Sequence, residues 1–247
     1  MPKIRLRDSK RLNTEEIYPI NEIPDEIMTK IFGHIVFLIG TGRKDITGDD
    51  FGDAVALAIN GTHYASPIGI VDVSLGKMAW SAKTIKSPNP FNAKIARLIS
   101  GRNSPDYSMG IHNVHEDIQK TGDAVLQIWN ERINVAHSSF NTLRTIVLIR
   151  SNDLTNYVLY EETAEQFAIS NYRWIKNSNG NLEGIDRQTN RTCFTWQPHG
   201  SQFTIHSLLP SKVYRLSLRQ PQQLDEDAFL MTLNYNGEWI HFLETGN

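Results

Sequence analysis

The chain is most informative first in what it lacks. Among 247 residues there is a single cysteine, Cys193, which excludes an intrachain disulfide and any cysteine-based zinc site and points to a reducing compartment. No apolar run is long enough to cross a bilayer: the most apolar early stretch, 27–39, is short and broken by Lys30 and His34. The opening MPKIRLRDSKRL is basic but has no apolar stretch behind it, so no secretory signal is expected. A soluble, cytoplasmic protein follows as the expectation, with no membrane partner. A large charge of one sign is also missing. The net charge of −2 excludes a protein held to nucleic acid by bulk positive charge, although a local cleft can still set the field that phosphates feel. There is no internal repeat and no low-complexity tract. What remains, 40% hydrophobic and 21% charged residues, is ordinary for a globular chain able to bury a substantial core.

Hydrophobic spacing then orders the chain. Residues 1–23 read as an irregular arm. Pro24-Asp25-Glu26 opens a helix with acids in its first turn and Ile27, Ile31, Ile35 and Leu38 at helical spacing, ended by Gly40-Thr41-Gly42. Thr47-Gly48-Asp49-Asp50 opens a second, with Phe51, Ala54, Val55 and Ala58 as its buried stripe and Asn60-Gly61 as its stop. Two apolar runs, 68–73 and 78–85, predict a hairpin turning at 74–77. A loop then leads into a short helix from about Phe91, and GRNSPDYSMGIHN predicts a further loop. The longest helix is expected from about Asp117 to Leu143, followed by strands at 144–150 and 157–162. Beyond about 170, short runs split by turn residues predict an antiparallel meander, with EWIHFLE as a possible last strand. The order describes an α/β core with a β appendage, divided at 165/166.

The chemistry sits in the hairpin. Asp72 lies in its first strand and Lys83 in its second, so folding brings a carboxylate and an amine side by side. Phosphodiester hydrolysis needs an activated water, a counter-charge for the phosphorane and a stabilised leaving oxygen. Mg2+ held by carboxylates supplies these, with a lysine to orient the water. Because Mg2+ keeps much of its water, two or three protein oxygens suffice, and the backbone carbonyl of Ala82 is a candidate beside Asp72. The plain alternative is a structural ion pair on adjacent strands.

With a helix carrying Asp49, Asp50 and Asp53, then Asp72 on one strand and Ser81-Ala82-Lys83 on the next, residues 41–150 resemble the PD-(D/E)xK nuclease superfamily, and within it the type II restriction endonucleases. The stretches TGDDFGDAVALAI, PIGIVDV and AWSAKTIK carry the likeness. It implies a restriction-endonuclease-like core, a central mixed sheet flanked by helices, and a β-rich C-terminal region for DNA recognition or dimer contacts. It further implies a Mg2+-dependent, site-specific endonuclease that cuts double-stranded DNA as a homodimer, with Asp72, Ser81 and Lys83 at the catalytic position. The chain departs from the motif twice. Val71, not proline, precedes Asp72, and Ser81 stands where an acid is expected. A second carboxylate must come from another element; Asp50 and Asp53, three apart on a helix, are the candidates, with Glu116 behind them. Acids at a helix start also simply suit its dipole.

For base and phosphate contacts the candidates are Lys86, Arg97, Arg102 and Asn103 after the hairpin, and Gln197, His199, Ser201 and Gln202 at a turn in the tail. His112 and His115 read as solvated residues at a helix entry. Two rival functions stay open: a non-catalytic DNA-binding protein on a decayed nuclease fold, for which Ser81 argues, and a hydrolase using Ser81 as nucleophile with Lys83 as base.

Overall fold

The computed structural model describes residues 16–241. Helix α1 (Asp25–Gly40) starts behind Pro24 with Asp25 and Glu26 at its positive end. It buries Met28, Ile31, Phe32, Ile35 and Ile39, while Ile27 and Leu38 lie at the edge of that stripe. Helix α2 (Gly48–Ile59) opens on a reciprocal cap: Asp50 N donates to Thr47 Oγ1 at 3.1 Å and Thr47 N donates to Asp50 Oδ2 at 2.9 Å. Asn60, left-handed at φ 54°, ends it.

Three antiparallel strands follow, β1 (Thr62–Ile68), β2 (Val71–Leu75) and β3 (Met78–Lys86). The β2–β3 hairpin turns at Gly76-Lys77, with Gly76 at φ 58°, and Ile68 belongs to β1 rather than to the strand that carries Asp72. Strand β4 (Ile95–Arg102) comes next, then helix α3 (Pro105–Met109) and the long helix α4 (Ile118–His137). Helix α4 crosses over to β5 (Thr142–Arg150), which runs parallel to β3. Strand β6 (Asn156–Thr163) returns antiparallel.

The remaining strands are β7 (Tyr172–Lys176), β8 (Leu182–Asp186), β9 (Thr192–Gln197), β10 (Gln202–Leu208) and β11 (Tyr214–Ser217), with helix α5 (Glu226–Thr232) last. They make two sheets, one six-stranded and mixed in the order β1-β2-β3-β5-β6-β11, the other five-stranded and antiparallel in the order β4-β10-β9-β8-β7. The expected α/β class holds. Strands trade between the halves: β4, from before residue 165, edges the second sheet, and β11, from after it, edges the first. The 165/166 division therefore does not follow the sheets.

Further expectations differ from the structure. At Phe91 there is one 3-10 turn (Pro90–Asn92), and the helix expected there is strand β4. Ile95, Ala96, Leu98 and Ile99 fall at helical spacing, yet Ala96, Leu98 and Ser100 are buried while Ile95, Arg97 and Ile99 are exposed, a period of two. The stretch GRNSPDYSMGIHN holds the end of β4 and the Ser104-capped helix α3. Helix α4 stops at His137, because Thr142 and Leu143 already belong to β5. Of EWIHFLE, the first residues form a 3-10 turn (Gly237–Trp239), and those beyond 241 lie outside the described residues.

Alternation along β3 places the site. Trp80 and Ala82 point into the core beneath α1 and α2, with Val73, Ile146, Leu148 and Leu159. Ala79, Ser81 and Lys83 point the other way, toward α4 and the second sheet. Among the described residues no helix is long and apolar enough to cross a membrane.

Candidate active site

Register aligns one polar row across four strands. Val73 opposite Trp80 sets Asp72 beside Ser81; Ser81 pairs with Thr145, and Thr145 with Glu162. All four line one cavity of about 270 Å³ between the mixed sheet, α4 and the second sheet. Lys83, two residues past Ser81, shares its face and lines the same cavity.

Asp72 is the hub. Its Oδ2 accepts from Ala82 N at 2.8 Å, from Ser81 Oγ at 3.1 Å and from Lys83 Nζ at 3.1 Å. The Asp72 and Lys83 side chains are 17% and 23% exposed, so the pair is partly screened from water but reachable from the cavity. Among the described residues none donates to Asp72 Oδ1. Ser81 gives its hydroxyl hydrogen to Asp72 and Lys83 also donates to Asp72, so Lys83 does not take the Ser81 hydroxyl hydrogen as a base would.

Arg132 of α4 forms the cavity's far wall. It donates to Ser100 O at 2.6 Å, Gly69 O at 2.8 Å and Asn103 Oδ1 at 3.3 Å, tying the β1–β2 turn and the end of β4 to α4. Burial draws its pKa below the usual guanidinium value, and the charge of Asp72 opposes that. Gly101, at φ +94°, leaves room for it: a Cβ there would lie 2.6 Å from Arg132 Nη1.

Glu162 closes the other end of the row. Ser207 Oγ of β10 donates to its Oε2. Burial pushes the carboxyl above the ordinary range, against the pull of that hydrogen bond. Its neighbour Glu161 faces the other side of the sheet, where it is fully buried and accepts from Trp80 Nε1 (2.7 Å), Tyr18 Oη (2.8 Å), Arg144 Nη1 (2.9 Å) and Asn21 N (3.2 Å).

The structure thus brings Asp72, Ser81 and Lys83 together. It does not bring Asp50 or Asp53 to them, because α2 packs on the opposite face of the sheet. Burial of Asp50 opposes its charge, yet its bonds with Thr47 and the nearby Arg43, 3.7 Å away, hold the carboxyl below its ordinary range. Asp53 bonds His63 Nδ1 at 2.7 Å. Ala82 contributes its amide to Asp72, its side chain facing the core. Glu116 and His115 are exposed, and His112 pairs with Asp106 at 2.5 Å.

Of the expected DNA contacts, Arg102 lies opposite Gln202, and Gln202 opposite Gln197, at the end of β4 whose Gly101 lines the cavity. His199 and Ser201 form the turn beside them. Lys86 is exposed at the end of β3, and Arg97 is exposed beside His206 on the second sheet. Asn103 is a correction. It is fully buried, donates Nδ2 to Val125 O at 3.0 Å, and accepts Trp196 Nε1 on its carbonyl at 2.7 Å, so it braces Arg132 from inside and reads no base.

No family model matches this chain, and no curated protein or solved structure is significantly similar to it. Its chemistry rests on its own geometry.

Sequence reasoning missed Thr145, Glu162 and Arg132. One signal was present: two consecutive glutamates in the apolar run YVLYEE put an acid on each face of a strand. Arg132 carried none, since a polar residue on an amphipathic helix reads as solvated.

Among the described residues, no three His, Cys, Asp or Glu side chains lie close enough to share a metal ion. The donor set fits a strongly hydrated ion, one that takes a single carboxylate oxygen, Asp72 Oδ1, and completes its shell with water and a ligand's phosphate. Glu162 stands three strand spacings from Asp72, about 14 Å between backbones, too far for both to bind one ion directly.

Proposed function

We propose that this protein is a Mg2+-dependent, site-specific endonuclease of double-stranded DNA, of restriction type, on a restriction-endonuclease-like core. The observation that carries the reading is the convergence of Asp72, Ser81 and Lys83, with Lys83 Nζ 3.1 Å from Asp72 Oδ2, in a cavity flanked by a partly exposed polar edge. That edge, with Arg102, Gln197 and Gln202, suits contact with phosphates and base edges.

The residues divide the work. Asp72 holds the ion through its undonated oxygen. When bound, Mg2+ supplies charge against the phosphorane and acidifies a water. Lys83 would orient the attacking water with its ammonium, and its bond occupies Asp72 Oδ2, leaving Oδ1 to hold an ion. Ser81 and the Ala82 amide fix that carboxylate's rotation. Glu162, its pKa raised by burial, lines the far end of the same cavity. A homodimer provides one site for each strand of a palindromic sequence.

One observation favours a second reading, a DNA-binding protein that does not cut. Only one carboxylate accompanies Lys83, and its Oδ2 is already filled by three donors. Phage DNA incubated with the protein and Mg2+ decides between them. Discrete bands that vanish with EDTA support the endonuclease; retarded DNA that stays intact supports the second reading; neither cutting nor binding removes both.

A further inference from the structure

The C-terminal segment leaves the body at Leu224. Leu224 N donates to Gly40 O at 2.8 Å. Among the described residues, the hydrogen bonds from Asp225 to residue 241 are local ones, such as Ala228 N to Asp225 Oδ1 at 2.8 Å and Tyr235 N to Leu230 O at 3.1 Å. Helix α5 buries none of its residues. Phe229, Met231, Leu233, Tyr235 and Trp239 are all exposed, Met231 at 75%. A helix of seven residues does not hold in water alone, and large apolar side chains this dense on a surface mark a contact.

A receiving surface lies on the same molecule. Between α1 and the edge strand β11 runs a groove of about 580 Å³ lined by Met28, Phe32, Val36, Leu216 and Leu218. Arg215 and Arg219 are exposed on and just past β11, with Asp25 on the helix side of the groove. The segment opens with Asp225, Glu226 and Asp227, opposite in charge to the arginines of that edge strand. Val36 stands one helical turn from Gly40, where the segment is rooted, yet the segment turns away and leaves its own groove open.

We infer that residues 225–241 are an exchange arm whose apolar side chains seat in the α1–β11 groove of a second copy of this chain. Two copies facing each other close both grooves by the same contact used twice, as two-fold symmetry requires. Arm and groove together offer roughly 25 residues a side, the size of a stable interface. The inference does not rest on the endonuclease reading, and it supplies that reading with its second subunit.

Sedimentation velocity across roughly 1–50 µM chain tests it, a span over which a standard-size interface holds. The full chain runs at twice its monomer mass. The arm variant Phe229→Glu/Trp239→Glu and the groove variant Val36→Glu/Leu216→Glu each run as monomers with unchanged circular dichroism. Mixed together they recover a dimer, since one intact arm then meets one intact groove. A monomeric full chain overturns the inference, as do variants that stay dimeric, a mixture that stays monomeric, or a dimer lost on removing residues 1–15 instead of the arm. None of these outcomes depends on DNA cleavage.

Discussion

Replacing Lys83 with methionine separates chemistry from architecture at the Asp72 hub. Methionine keeps the apolar stem and removes the ammonium. The stability cost follows from the geometry. A solvent-exposed pair is worth ~0.2–1 kcal/mol and breaking a fully buried one costs ~3–5 kcal/mol. This pair, 17% and 23% exposed, lies between, and Asp72 keeps the Ser81 hydroxyl and the Ala82 amide as donors. About 1–2 kcal/mol is therefore expected, against a total of ~5–15 kcal/mol, so Lys83→Met stays folded and melts roughly 2–8 °C lower. Cleavage should respond on another scale. Removing a preorganised charge beside the reacting water costs about 3–4 kcal/mol in the barrier, on the order of 10²–10³ in rate. Nicking and linearisation of supercoiled plasmid in Mg2+, timed beside a thermal melt of the same preparation, measure both. A variant cutting within tenfold of the unaltered protein would refute the role given to Lys83. A melting point that collapses below the assay temperature would refute the balance between pair and fold.

Three further substitutions probe the frame around the site. Glu162→Gln acts through pH. The native carboxyl's pKa is raised, so between the unfolded value and the native one the folded state binds more protons and stability falls as pH rises. The variant lacks that loss, so it should melt with the original near pH 4 and above it at pH 8; equal melting at both would mean Glu162 is not held as described. Arg144→Met strands the fully buried Glu161 carboxylate among neutral donors and should cost ~3–5 kcal/mol in urea unfolding, part of it recovered by adding Glu161→Gln. A cost below 1 kcal/mol would show that the network does not bear on folding. Gly122→Ala puts a methyl 2.1 Å from Trp174, and overpacking of ~1–3 kcal/mol should outweigh the ~1 kcal/mol that alanine gains in a helix. A more stable variant would place α4 wrongly against β7.

Much of this fold was legible because its local signals are strong. The Thr47/Asp50 cap, the Asn60 stop and the unbroken run 144–150 each specify an element without help from the rest of the chain. Strand β4 failed because Ile95 and Ile99, exposed on one face, fill in the pattern of a helix; only pairing with β10 makes that segment extended. The site divides the same way. Asp72 and Lys83 were legible because two apolar runs mark a hairpin, although its turn is Gly76-Lys77 alone and Ser74 and Leu75 belong to β2. Glu162 was not, since its place beside Thr145 is set by β5–β6 register, and β5 reaches β3 only through the α4 crossover. Asp50 and Asp53 misled for a related reason. A helix preceding a sheet covers whichever face its apolar stripe matches, and here Phe51, Ala54, Val55 and Ala58 match the face of Trp80, not that of Lys83.

The two glutamates of β6 show how one strand serves both faces of the sheet. Glu161 has a full set of donors and a buried arginine, so its work is to pin Tyr18, Asn21 and β3 against the sheet. Glu162, one residue on, accepts from a single serine and lines the cavity, and burial raises its pKa. Asp72 pairs within its own hairpin, and Glu162 reaches to the other sheet. Between them Thr145 supplies only a hydroxyl. Among the described residues, the space they border is thus lined by carboxylate oxygens, Asp72 Oδ1 and Glu162 Oε1, that no protein donor fills.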